Sequence, residues 1–210
     1  ANGITLITPR AEMGQGAVSL QANLIAEELD IDPASATLTP GMPGLAYYNA
    51  ATFEDGAAPG YDDSTSTQIT RYMFGKVARL MGIQITGGSS TTPDSFAKLR
   101  TAGAVARETL KEAAAQRTGV DRSLLKTKDG HVILPNGEEI AYTALAAEAA
   151  LIDPVEDVTL RDPSTWRLLG KPDMKRLDMV AKSTGTEIYG IDCKVDGMVF
   201  ASVCANPAIG

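Results

Sequence analysis

Pro9-Arg10-Ala11-Glu12-Met13-Gly14-Gln15-Gly16 joins the short apolar stretch Ile4-Thr5-Leu6-Ile7-Thr8 to a segment in which Val18, Ala22, Ile25 and Leu29 recur at helical spacing. The stretch before it is rich in β-branched residues and nearly alternating, which predicts a strand. After it, Leu24 accompanies the apolar stripe while Gln21, Asn23, Glu27, Glu28 and Asp30 take the other side, which predicts an amphipathic helix. A strand, a glycine turn and a helix start leave backbone N–H groups pointing at whatever lies above the turn. Gln15 is the one long polar side chain between the two glycines. Glycines alone suffice to explain a tight connection, so a ligand site needs a second element.

That element comes at Ile83-Gln84-Ile85-Thr86, which runs into Gly87-Gly88-Ser89-Ser90 and then Thr92-Pro93-Asp94. Thr92 suits an N-cap, Pro93 the first helical position, and Asp94 the positive end of the dipole. The predicted helix carries Phe96, Leu99, Gly103, Ala106 and Leu110 on one stripe and ends near Thr118-Gly119, with Arg100, Arg107, Glu108 and Lys111 mostly turned away. Gly103 and the alanines suit close packing against another backbone. Two turns of one design, side by side, would form a cradle of backbone donors for an anionic or oxo-rich ligand.

Between the turns, Ser35–Thr39 reads as a short strand, 40–70 as a long polar excursion holding Tyr47, Tyr48, Phe53 and Tyr61, and Arg71–Leu80 as a short helix. Further on, 126–134 reads as a hairpin about Asp129-Gly130, followed by a short helix capped by Thr143. Pro154, Pro163 and Pro172 punctuate an extended linker. The predicted organisation is residues 1–152 as one domain, 153–175 as linker, and 176–210 as the start of a second, with strands at 187–192 and 198–204. The fold class is α+β, with the helices packed on a mixed β-sheet.

The 210 residues carry a net charge of −7 and no lysine or arginine run, which argues against nucleic acid or an anionic membrane as partner. Cys193, Cys204 and the single histidine, His131, do not make an all-protein metal site. The cysteines read as small buried or half-buried residues, with a disulfide open if their strands pair in register.

Arg10-Ala11-Glu12-Met13-Gly14-Gln15-Gly16, Ala26-Glu27-Glu28-Leu29, Thr86-Gly87-Gly88-Ser89-Ser90 and Leu99-Arg100-x-Ala102-Gly103-Ala104 together resemble the molybdenum-binding subunit of the xanthine dehydrogenase/aldehyde oxidase family, isoquinoline oxidoreductase beta-subunit type. Leu168-Leu169-Gly170-Lys171-Pro172 and Arg176-Leu177-Asp178 through Tyr189-Gly190-Ile191-Asp192 are similar to that branch's entry into an α/β hammerhead domain. The resemblance covers nearly the whole chain and is thinnest over Pro40 to Ile83.

It implies an oxidoreductase that hydroxylates N-heterocycles or aldehydes with oxygen from water. It also implies a molybdenum–molybdopterin cytosine dinucleotide cofactor in the complete protein, with this piece alone expected to be empty. Gln15 would donate to the metal's apical oxo ligand; Gly14, Gly16, Gly87, Gly88 and Ser89 would contact the cofactor. The family's base lies in a Gly-x-Gly-Glu motif that these residues do not contain, so the chain alone is expected to be inactive. Implied partners are the rest of the large subunit, an iron–sulfur small subunit, a cytochrome c as a candidate acceptor, and a small-molecule substrate. A periplasmic location follows from the twin-arginine leader common in this branch, with the cytoplasm as the other option. Exposed strand edges near the end would favour self-association. A binding or assembly module without chemistry is the alternative reading.

Overall fold

The computed structural model describes residues 3–58, 61–172 and 174–207. Two units partition the chain, 1–177 and 178–210. In the first, β1 (Thr5–Thr8) leads through the quoted turn into α1 (Ala17–Leu29), and β2 (Thr37–Pro40) returns beside β1 in parallel, with Leu6 opposite Leu38. There follow α2 (Ala51–Ala57), α3 (Thr65–Met81) and the long α4 (Thr91–Thr118). The strands β3 (Lys126–Lys128), β4 (His131–Ile133) and β5 (Glu139–Ala141) form an antiparallel sheet in that order, and α5 (Tyr142–Ala149) closes the unit.

Helices on sheets are therefore present, as α+β requires, but the expected mixed sheet is absent among the described residues. In its place stand a two-stranded parallel sheet and a separate three-stranded antiparallel one. Residues 83–86 form no strand; Asn49 N–H donates to Ile83 O and Asn49 Nδ2 to Ile85 O. Asparagine thus supplies the pairing that a neighbouring strand would have given.

The core lies where α1 crosses α4, with the antiparallel sheet and α5 alongside: Ala22, Ile25, Leu29, Ala113, Ala114, Val132, Leu134 and Leu145 meet there. Gly103 brings the two helices together as expected. A Cβ at that position would sit 2.5 Å from Ile25 O, so only glycine lets the backbones approach this closely.

The polar side of α1 is not solvated. Gln21, Glu27 and Glu28 are fully buried, and Asn23 and Asp30 nearly so. What covers them is the segment expected to be a linker. Glu27 accepts the backbone N–H groups of Arg167, Leu168 and Leu169 at 2.7–3.1 Å. Arg161 N–H donates to Glu28, the Arg161 and Arg167 guanidiniums pair with Asp30, and Leu177 N–H donates to Ser19. Residues 155–172, with one 3-10 turn at Pro163–Thr165, and 174–177 are thus a strap laid over a charged helix face. Arg100 and Arg107 of α4, expected to point away, turn inward to Glu28 and are nearly buried.

Three helix boundaries differ from the sequence reading. The excursion at 40–70 contains α2 and the start of α3, whose N-cap is Ser64 and which runs on to Gly82. The cap of α4 is Ser90 in place of Thr92, and α5 starts at Tyr142 with Ala141 before it in place of Thr143.

The second unit holds α6 (Met179–Thr184) and one 3-10 turn at Gly190–Asp192. Neither strand expected for the opening of a hammerhead domain forms among its described residues. A strand needs a ladder partner, and none adjoins these segments; Ile191, Val199, Phe200 and Val203 are consequently exposed. Cys193 and Cys204 are exposed free thiols, neither buried nor bridged. Among the described residues no helix is long and apolar enough to cross a membrane.

Candidate functional site

Glu12 organises the first turn. Its carboxylate accepts Gly14 N–H at 2.8 Å, Gly16 N–H at 3.0 Å and Val18 N–H at 3.1 Å. Arg176 reaches both Gly14 O, at 3.0 Å, and that carboxylate. The start of α1 therefore already holds an anion, the protein's own, where the sequence suggested open donors. Gly14 and Gly16 take φ of 97° and 84°, a left-handed backbone that bends the chain around the carboxylate.

Gln15 stands exposed at the tip. Its Oε1 accepts Met13 N–H at 2.5 Å and its Nε2 donates to Ala11 O at 2.9 Å. These two bonds fix which end of the amide is which. They also leave the second N–H of Nε2 for an oxygen outside the turn.

The second turn is a reverse turn from Gly87 to Ser90, with Ser90 N–H donating to Gly87 O at 3.1 Å. Gly88 and Ser89 both have positive φ, 58° and 57°, the pattern of a type I′ turn. Holding a serine in that region costs about 1 kcal/mol, so the surroundings must enforce it. Ser90 provides the restraint: its hydroxyl donates to Gly87 O at 2.6 Å and receives Asn49 Nδ2 at 2.7 Å. Its hydroxyl being so engaged, Ser90 makes no side-chain cap to α4. The first N–H groups of α4 have no intrahelical acceptor and no capping oxygen, in contrast to those of α1.

Gln15, Met13, Gly87, Gly88, Ser89 and Thr92 line one open cleft of about 430 Å³. Of the residues singled out from sequence, the structure thus brings Gln15 together with the Gly87-Gly88-Ser89 turn. Gly14 and Gly16 shape the first turn without lining the cleft.

A buried ion pair unites the two turns beneath it. The Arg10 guanidinium pairs with Asp94 and donates to Tyr47 O at 2.7 Å and Tyr48 O at 2.8 Å. Asp94 also accepts Lys98 Nζ at 2.6 Å and Ala50 N–H at 2.8 Å. Burial alone would raise the Asp94 carboxyl; the bonds from Lys98, Arg10 and Ala50 outweigh it and hold the group below its ordinary value of 3.8. Higher up, Ala11 N–H donates to Thr86 Oγ1 and Gln84 Nε2 to Pro9 O. Sequence reading passed over Arg10 as a partner and took Asp94 for a dipole charge. The available signal was an arginine two residues after an apolar strand, where a cation is buried only if a carboxylate meets it.

No family model matches this chain. It is 28% identical to the beta subunit of isoquinoline 1-oxidoreductase from Brevundimonas diminuta across its whole length, and 27% identical to a membrane-bound aldehyde dehydrogenase [pyrroloquinoline-quinone] of Gluconacetobacter polyoxogenes across 94% of it. Over 66% of the chain it is 30% identical to a nicotinate dehydrogenase subunit of Pseudomonas putida. The chain spans 28%, 22% and 12% of the lengths of these relatives.

Proposed function

Since this chain is a molybdenum-hydroxylase large-subunit-like protein, corresponding to part of such a subunit, we propose that its two turns supply one wall of a molybdopterin cofactor site. The observation that carries this reading is the convergence of Gln15 and Gly87-Gly88-Ser89 on one cleft. The residues fit such a group chemically. The open start of α4 and the left-handed Gly88-Ser89 turn offer backbone donors to an anionic tail. Gln15 offers a neutral amide N–H, which can orient an oxygen without protonating it. Gly14 and Gly16 let the turn hold that amide outward. When bound, the molybdenum–molybdopterin cytosine dinucleotide group supplies a redox centre for hydroxylating an aldehyde or an N-heterocycle with oxygen from water.

Glu12 does not serve as the base, because three N–H groups and Arg176 hold its carboxylate at the turn. The 210 residues hold no Gly-x-Gly-Glu, so the base comes from the rest of the subunit, and the electrons leave through an iron–sulfur small subunit with a cytochrome c as a candidate acceptor. We place the assembly in the periplasm, on the family resemblance. One relative's name carries a quinone, which makes cofactor analysis the first experiment. Purified full-length subunit should contain molybdenum and pterin; a quinone in their place would overturn the reading. Gln15→Ala in the same protein should lower turnover roughly a hundredfold while metal content holds, as expected for loss of one oriented donor. Unchanged turnover would remove Gln15 from the chemistry, whereas a parent subunit that holds metal and pterin yet oxidises neither an aldehyde nor an N-heterocycle would favour a binding or assembly module without chemistry.

A further inference from the structure

We propose that Arg10 and Asp94 are positioning residues that set the gap between the Gln15 turn and the Gly87–Ser89 turn, and so the width of the cleft. The proposal rests on the cofactor reading above for its functional meaning, though not for its geometry. Gln15 stands five positions after Arg10, and Ser89 five before Asp94. The backbone of Arg10 is tied to α1: Arg10 N–H donates to Gln21 Oε1 at 2.8 Å, and Gln21 Nε2 donates to Arg10 O at 3.1 Å. Its side chain is tied to α4 through Asp94, and to the backbone at Tyr47 and Tyr48. Asp94 is fixed in turn by Ala50 N–H, while Asn49 beside it holds Ser90 and Ile85 O. One buried guanidinium therefore links the first turn, the 47–50 segment and the helix that starts at the second turn.

The remaining links between the turns, Ala11 to Thr86 and Gln84 to Pro9, are single bonds nearer the surface, where water competes for them. The buried pair is the stronger constraint. Arginine is required because its planar fork reaches two carbonyls and a carboxylate at once; an ammonium cannot span all three.

The test measures the gap directly. In the 210-residue chain, Cys193→Ser and Cys204→Ser remove the exposed thiols, and Met13→Cys with Thr92→Cys places spin labels on either lip of the cleft. Pulsed electron paramagnetic resonance should give one narrow distance distribution. Arg10→Lys, which keeps the charge and loses the fork, and Asp94→Asn should each broaden it roughly twofold as the turns uncouple. Lys98→Met, which leaves the pair intact, should not. Arg107→Lys is the control for mere loss of a buried ion pair, since it weakens the contact with Glu28 away from the cleft.

If Arg10→Lys lowers the thermal midpoint yet leaves the distribution as narrow as the parent's, the pair is structural and the proposal falls. It falls equally if Arg107→Lys broadens the distribution as much. Should Asp94→Asn not fold, Arg10→Lys alone decides. The distance reports the clamp whether or not a cofactor binds, whereas full-length subunit lacking molybdenum would sink the functional reading and leave the clamp standing.

Discussion

Glu28 is a charged residue at zero exposure, and its surroundings explain how that is possible. Its two oxygens receive Arg100 at 2.6 Å and 2.9 Å, Arg107 at 3.4 Å and Arg161 N–H at 3.1 Å. Arg100 in addition lies about 5 Å from the ring centroids of both Phe96 and Trp166, which meet edge to face 6.2 Å apart, so the cation packs against an aromatic pair. Replacing Glu28 by alanine would leave the buried Arg100 without its counter-charge and Arg107 with Glu108 alone. We expect a loss of about 3–5 kcal/mol in urea-unfolding stability. Gly103 carries a different constraint: in Gly103→Ala the new methyl would collide with Ile25 O and approach Glu28 Cβ at 3.1 Å. The helices must separate, and the expected cost is about 1–3 kcal/mol in the same assay.

Among the elements, α1 shows what could be read from sequence and what could not. Its existence, its start after Gly16 and its apolar stripe followed from spacing, as did the close approach of α4 at Gly103. Its environment did not follow. A row of Gln, Asn and Glu opposite an apolar stripe ordinarily marks solvent, and only the strap changes that. The strap binds through its own backbone N–H groups, which every residue except proline possesses, so no side-chain pattern announces it. For the same reason the sites of Glu12 and Glu27, both of which accept backbone donors, were hidden, whereas the glycine turns were visible because left-handed backbone selects residue type. The single mixed sheet was expected because short strands do not reveal their partners, and here they pair as two and three. Glu27→Ala should release the strap. Amide exchange at Arg167, Leu168 and Leu169 should accelerate tenfold or more, corresponding to about 1–3 kcal/mol of lost local protection, with the α4 amides unaffected.

For the molecule as a whole, two conditions distinguish the units. In unit 1, Asp94 has its carboxyl held below 3.8, a depressed folded-state value. Such a group stabilises the fold fully above its unfolded-state pKa, and the contribution fades as pH falls through the lower folded value. Stability traced by urea unfolding should therefore drop more steeply below pH 3.8 in the parent than in Asp94→Asn, and equal slopes would contradict the assignment. In unit 2, Cys193 and Cys204 are exposed, so a thiol reagent should modify both in native protein at the rate of the unfolded chain. Protection of either would show that its surroundings differ from those described.

The occupied start of α1 has a bearing on how any guest lies in the cleft. Glu12 neutralises one helix end, while Asp94, in the first turn of the other, is already matched by Arg10 and Lys98. The two walls therefore differ: at Gln15 the donor facing the cleft is an uncharged amide, with Glu12 and Arg176 matched to each other in the turn behind it, whereas beside Ser89 lies the uncapped start of α4. A molecule bearing a charged tail and an uncharged oxygen at its head is best matched one way round, tail to serine and head to glutamine, since end-for-end reversal would take its anion away from the free donors of α4.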